Sequence, residues 1–355
     1  MIEYRTYDGD AAELAAFLQR VWLSFFRGRV TVPVWHAEYL EWQLLSAPNG
    51  RDFLVAAYES ARLVGTLFAK PFRFRLGEAT IDAAISSWLA VDPMAKGAGV
   101  ARGLADEQHR RMRECGCRFL LGFGLPGQVA RGTRFWSGFP DRTVLGRPIP
   151  LWAHLIDLAA VSRDEATRHG RLGAHLLHAI HGDVRRPADV GQGCGVSIRP
   201  YRAADLSDCL AVVRRTADTA DLAYDWDAER LGHHLDFRGI PTTLVAEQNC
   251  SVQGFINYHQ LNAQGRGTLR SAIIDHLACD TLTPRDRTRL LRSALLQMHG
   301  TATQLVLTSR LSGAHRSTLV RSGFVPNWPG ITPIYYTDGS GVPLSAVRTL
   351  QAHIV

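Results

Sequence analysis

The reading of the chain turns on residues 86–112, SSWLAVDPMAKGAGVARGLADEQHRRM. An apolar run closes on Val91-Asp92-Pro93, and a small-residue bend follows at Lys96-Gly97-Ala98-Gly99-Val100-Ala101. Apolar residues then recur at Val100, Leu104 and Met112, with Arg110, Arg111 and Arg113 largely on the opposite side. This pattern predicts a strand, a tight turn and an amphipathic helix over about 99–114. A helix entered through glycine exposes main-chain N–H groups at the positive end of its dipole. Such a turn receives phosphate oxygens. Two familiar nucleotide loops are excluded. Walker A needs Gly-Lys-Ser/Thr at the end of the loop, and the dinucleotide fingerprint needs a third glycine where Arg102 stands.

Outward from this stretch, the first half reads as strands near 53–59, 62–74, 80–91, 118–124 and 142–157. Helices are predicted near 11–23 and 128–137, with another carrying Trp35, Tyr39 and Trp42 at spacings of four and three. The order recurs later in the chain. YRTYDGDAAEL near the start resembles IRPYRAADLSDCL from residue 198, and FLVAAYESARLVG (53–65) resembles TLVAEQNCSVQG (243–254). RFLLGFGLPG (118–127) has its counterpart in TQLVLTSRLSG (303–313), and both repeats then reach Ser-Gly-Phe, at 137–139 and 322–324. Four matches in one order imply a duplicated domain. The expected organisation is a domain over 1–158, a helical linker over 159–195 ending in RRPADVGQGCG, and a second domain over 196–355. The expected fold class is α/β (α+β), each domain a mixed, mostly antiparallel sheet flanked by helices.

Val91-Asp92-Pro93 followed by Lys96-Gly97-Ala98-Gly99-Val100-Ala101 resembles motif A of the GNAT acyl-CoA N-acyltransferases, with lysine where the family has Arg or Gln. Gly138-Phe139 matches a later family landmark. The resemblance covers most of 1–158 and, more weakly, 197–340; the two-domain arrangement resembles that of mycothiol synthase. It implies acetyl-CoA or another acyl-CoA as cosubstrate. The pyrophosphate would lie on Gly97, Ala98, Gly99, Val100, Ala101 and Arg102, beside Lys96. Pantetheine would pair with the main chain of Leu89, Ala90 and Val91, and a bulge there would aim an N–H at the thioester carbonyl. At the matching place in the second half, IIDHLACDTLTPRD, no glycine remains. Thr283, Pro284 and Asp286 read as N-cap, N1 and N3 of a self-capped helix, so that half is expected to lack a coenzyme site.

Acyl transfer also needs a base for the acceptor amine and a means of releasing thiolate. The family places a tyrosine before Gly-Phe, but here Arg134, Phe135 and Trp136 stand there, which makes Arg134 the candidate electrostatic substitute. Candidate bases are Asp82 and Glu41, with His36 and Glu38 beside them. Asp275-His276 occupies the second half's equivalent of Ser87-Trp88, of interest if the two clefts communicate. The expected reaction is transfer of an acyl group, most simply acetyl, to a primary amine of a small molecule. A non-catalytic acyl-CoA-binding module and an acyl-CoA-processing enzyme without an amine acceptor are the alternatives.

Bulk properties set limits. The 355 residues carry a formal charge of +7, but the arginines are scattered and the only lysines are Lys70 and Lys96, which argues against nucleic acid as a partner. The histidines and cysteines show no metal-ligand spacing, so no metal is expected. Six cysteines without disulfide or zinc spacing, no signal-like start and no apolar run of spanning length point to a cytoplasmic protein without membrane contact. A homodimer is left open.

Overall fold

The computed structural model describes residues 1–26, 31–46, 51–124, 143–164, 195–337 and 341–352. Strand β1 (Ile2–Thr6), helix α1 (Ala11–Phe26), β2 (Val32–Val34) and α2 (Ala37–Leu40) come first. A π-helical turn at Glu41–Leu45 continues α2. Next are β3 (Leu54–Glu59), β4 (Arg62–Leu76), β5 (Ala79–Val91), α3 (Val100–Glu114) and β6 (Phe119–Gly124), then β7 (Thr143–Leu145), β8 (Ile149–Leu155) and α4 (Leu158–Asp164). The second half repeats this order with β9 (Ser197–Pro200), α5 (Leu206–Ala217), β10 (Leu222–Tyr224), α6 (Ala228–Leu235) and β11 (Pro241–Gln248). It continues through β12 (Ser251–Gln264), β13 (Thr268–Ala278), α7 (Pro284–Gly300), β14 (Leu305–Ser309), α8 (Arg316–Arg321) and β15 (Val325–Thr337).

Apolar residues on successive positions of β3 and β4 require cover on both faces of the sheet. Leu54, Ala56, Tyr58 and Phe68 pack with α1 and α2 residues, whereas Val55, Ala57, Val64 and Leu67 pack with Val100, Leu104 and Met112 of α3. The strand order β1-β3-β4-β5-β6 is matched by β9-β11-β12-β13-β14. In each set the last pair is parallel and the earlier ones antiparallel. The strand order and pairing senses of the first half thus recur in the second.

The halves trade strands. β8, within the expected first unit of 1–158, pairs with β14 of the second sheet, while Thr332–Thr337 of β15 pairs with β6 of the first. A second exchange occurs along the two long interior strands, past the reach of β3 and β11: β2 pairs with β12 and β10 with β4. Each half therefore completes its sheet with strands from the other. Most of the expected linker lies outside the described residues.

Gly330 sits where β15 leaves β8 for β6, at φ +76° and between shifted registers. A Cβ there would lie 2.4 Å from the Ile149 carbonyl oxygen. Strain and backbone collision act together, so Gly330→Ala should destabilise by about 2–3 kcal/mol. Urea unfolding checks this; an unchanged midpoint would mean the crossover tolerates a side chain.

Candidate active site

β5 pairs regularly with β4 from Leu76↔Ala79 to Phe68↔Ser87, then slips so that Thr66 faces Ala90. The slip is a bulge at Trp88, whose φ of +54° is unusual for a bulky residue. Thr66 Oγ1 donates to the Trp88 carbonyl at 2.8 Å and pins it. Parallel pairing of β5 with β6 covers only Ala83–Ile85. Beyond Ile85 the β6-facing edge of β5, including Leu89, Ala90 and Val91, has no strand partner among the described residues. A splayed edge with a bulge in it can receive an extended ligand as an added strand.

The edge leads into the loop. Buried Asp92 accepts from Arg20 at 3.0 Å and Arg62 at 3.2 Å, and its Oδ1 accepts the Met94 N–H at 2.9 Å. Burial pushes its carboxyl up, but the Met94 amide and the Arg20 guanidinium outweigh this and hold it below the usual carboxylate range. Lys96, Gly97, Ala98 and Gly99 are exposed, and Gly97 and Gly99 take φ of +90° and +76°. Gly99 caps α3 without a side-chain hydrogen bond, and no acid stands in the first turn. The first α-helical hydrogen bond runs from Gly103 N–H to Gly99 O, so the N–H groups of Val100, Ala101 and Arg102 precede it. Arg102 pairs with Asp106 at 3.1 Å.

The matching turn of the second half is filled by its own side chains. Thr283 Oγ1 caps the Asp286 N–H at 3.2 Å, Pro284 opens α7, and Arg289 pairs with Asp286 at 3.2 Å. Arg287 Nε donates to the Leu282 carbonyl at 2.8 Å, and His315 Nε2 meets Asp280 Oδ1 at 2.5 Å.

The sequence-derived catalytic candidates do not gather at the bulge. Asp82 is exposed and lies six residues before Trp88, about 20 Å along an extended strand. Glu41 is half-buried in the π-helical turn, where its carboxylate accepts from Ser46 Oγ. His36 Nδ1 caps the Tyr39 N–H at 3.2 Å and contacts Glu38 at 3.1 Å, so both residues serve the start of α2. Arg134 lies outside the described residues.

What the fold does gather is a buried polar cluster between the halves. The β2–β12 pairing lays α2 and the π-helical turn over the second sheet. Trp42 exchanges hydrogen bonds with His233, its Nε1 donating to the carbonyl at 3.0 Å and its own carbonyl meeting His233 Nε2 at 2.8 Å. Lys70 Nζ donates to Gln43 Oε1 at 3.1 Å. Burial pushes the Lys70 amine down to about 7, against the attraction of Asp275 and with help from Arg230. His259 Nδ1 and Asp275 Oδ2 are 2.7 Å apart, both buried. Burial also depresses His276 to about 4. Sequence reasoning noted Asp275-His276 but missed Gln43, Lys70 and His259. One signal was available: half the chain's lysine sits in the apolar strand GTLFAKPF, where a cation needs a reason.

Residues 6–132 match the family model described as acetyltransferase (GNAT) domain. No curated protein sequence gives a match. Similar solved structures include those of Saccharomyces cerevisiae N-myristoyltransferase with bound myristoyl-CoA. One aligns at TM-score 0.70 and 13% identity over 95% of this chain and 79% of that one. A second, which also holds inhibitors, gives 0.69 and 14% over 95% and 80%, and a third gives 0.70 and 14% over 95% and 82%. The family match falls on the bulged strand and glycine turn, so residues 6–132 are similar to a GNAT acetyltransferase domain, and the fold match takes in both halves.

Proposed function

We propose that the protein transfers an acyl group, acetyl in the simplest case, from coenzyme A to a primary amine of a small molecule. In this reading the pyrophosphate lies on the N–H groups of Gly97, Ala98, Gly99, Val100, Ala101 and Arg102 beside Lys96, and pantetheine runs along Leu89, Ala90 and Val91. The bulge at Trp88 turns a main-chain N–H toward the thioester carbonyl, where charge develops as the amine attacks. The observation that carries the reading is the uncapped, acid-free start of α3 directly after a bulged and splayed strand. The self-capped α7 supports a single coenzyme site, in the first half. Asp82 and Glu41 are not favoured as the base, given their placement. The free thiols among the described residues and the absence there of any helix able to cross a membrane fit a cytoplasmic enzyme.

The fold shared with a myristoyl-CoA-bound enzyme makes acyl length a question for the same experiment. Calorimetry with acetyl-CoA and myristoyl-CoA, paired with thiol release in the presence of phenethylamine, glucosamine and a glycyl peptide, tests both. Uptake with amine-dependent thiol release is expected. Uptake without release would make the protein a binding module, and no uptake of either thioester would end the proposal.

A further inference from the structure

Four buried polar atoms follow one aromatic wall from the bulge into the second half. Ser87 Oγ, Trp88 Nε1, Trp35 Nε1 and His259 Nε2 have no hydrogen-bond partner among the described residues. They are contiguous: the Trp88 and Trp35 rings lie 6.2 Å apart, Trp35 stacks on Tyr39 at 4.7 Å, and Tyr39 lies 5.0 Å from His259. Leaving such a group unpaired forfeits its hydration without return, so a run of them beside a reacting centre marks a place built for a ligand. Its chemistry is mixed, with indole donors, a hydroxyl and an imidazole nitrogen. The imidazole is oriented. His259 stands opposite Ile273 on β12–β13, and Asp275, two residues on, holds its Nδ1 at 2.7 Å. With Nδ1–H donated to a carboxylate, Nε2 carries the free lone pair.

We propose that this wall receives the acceptor and that His259 Nε2 is the general base, held in its tautomer by Asp275. The assignment rests on the acyltransferase reading above. The amine nitrogen attacks the thioester carbon, the new C–N bond forms, and the proton it sheds passes to His259 Nε2. The C–S bond then breaks with its electron pair on sulfur, and the imidazolium returns its proton to the departing thiolate or to water. The reaction centre is thus assembled from both halves: the thioester is held by the first, the base by the second. Trp35, Tyr39 and Trp42, whose ring lies 5.5 Å from His259, suit an amine borne on a flat or apolar body.

The test uses the full chain, acetyl-CoA or myristoyl-CoA (whichever binds) and phenethylamine. His259→Gln should lower kcat at neutral pH by about 100-fold or more while the Kd for acyl-CoA stays within about threefold. Its rate should then climb with the acceptor's own free-amine fraction, about tenfold per pH unit, without the native acid limb. Asp275→Asn should lie between the two proteins. Other titratable groups act on this pair through Asp275: Tyr39 on α2, Lys70 on β4 and His276 on β13, with Arg230 on α6 beside Lys70. Lys70→Met separates the main competitor, because the acid limb should survive it whatever the rate. In the unsubstituted protein, 15N-histidine spectra should show His259 as the Nδ1–H tautomer, with Nε2 shifting when phenethylamine is added. A limb that follows Lys70, a wild-type rate in His259→Gln, or an Nε2 that ignores the amine would overturn the assignment. If the native chain binds no acyl-CoA, it is the acyltransferase reading that falls; binding with failure of these tests removes His259 alone.

Discussion

Gly99→Glu should abolish coenzyme A binding, weakening it by more than about 100-fold, and leave the chain folded. Two features of Gly99 separate these effects. A Cβ at this position meets nothing within 4 Å, so the substitution creates no collision. The φ of +76° costs a non-glycine residue about 1–2 kcal/mol, small against a typical stability of about 5–15 kcal/mol. The carboxylate, by contrast, would stand where the diphosphate is proposed to sit, repelling it and accepting the same N–H groups. Gly99→Ala carries the strain without the charge and should lose no more than about tenfold. Calorimetry with coenzyme A reads both variants, and far-UV circular dichroism checks the fold. A Glu variant binding within tenfold of the native chain would mean that the pyrophosphate lies elsewhere.

The parts of this site that sequence exposes are those set by local chemistry. Glycines at 97 and 99, proline at 93 and the apolar run into Val91 each restrict the backbone of their own neighbourhood, so the strand, turn and helix at 79–114 are readable without knowing what surrounds them. Thr283-Pro284 with Asp286 is legible in the same way, and the structure shows that cap formed. The bulge was expected only through the GNAT resemblance. Tryptophan does not advertise a positive φ, and the Thr66 hydroxyl that pins Trp88 comes from the neighbouring strand.

What stayed hidden depends on contacts across the duplication. β8 and β15 are each a credible closing strand for their own sheet, and no local pattern says which edge they will find. Once the strands cross, residues nearly two hundred positions apart become neighbours, as Trp42 and His233 do. His109 of α3 is buried and stacks on Tyr336 at 3.3 Å, a contact that exists only because β15 arrives from the other half. The polar cluster around Asp275 is likewise a product of the exchange. Asp275-His276 alone is an ordinary pair on a strand, and it becomes a candidate site only when β12, β4 and the π-helical turn bring His259, Lys70 and Gln43 beside it.

That cluster predicts how stability should vary with pH. Lys70 is buried and its amine is held near 7, against 10.5 when solvated, chiefly because burial disfavours the ammonium. Between these values the unfolded chain binds a proton that the folded chain does not, so this group makes stability rise with pH from about 7 to about 10.5. Below pH 7 the folded protein carries the full cost of a buried cation; above pH 10.5 both states are neutral and the contribution ends. Lys70→Met removes the term and leaves other titrations largely in common. The native-minus-variant difference in unfolding free energy should therefore increase by about 3–5 kcal/mol across that window. The Gln43 carbonyl, left without its donor, lowers the variant's stability by an amount independent of pH, so it shifts the difference without changing its slope. Urea unfolding of both proteins from pH 6 upward measures the slope. A difference that stays flat would mean that Lys70 keeps its proton in the folded state through a close partner such as Asp275, and the interface would then hold an ion pair rather than a neutral amine.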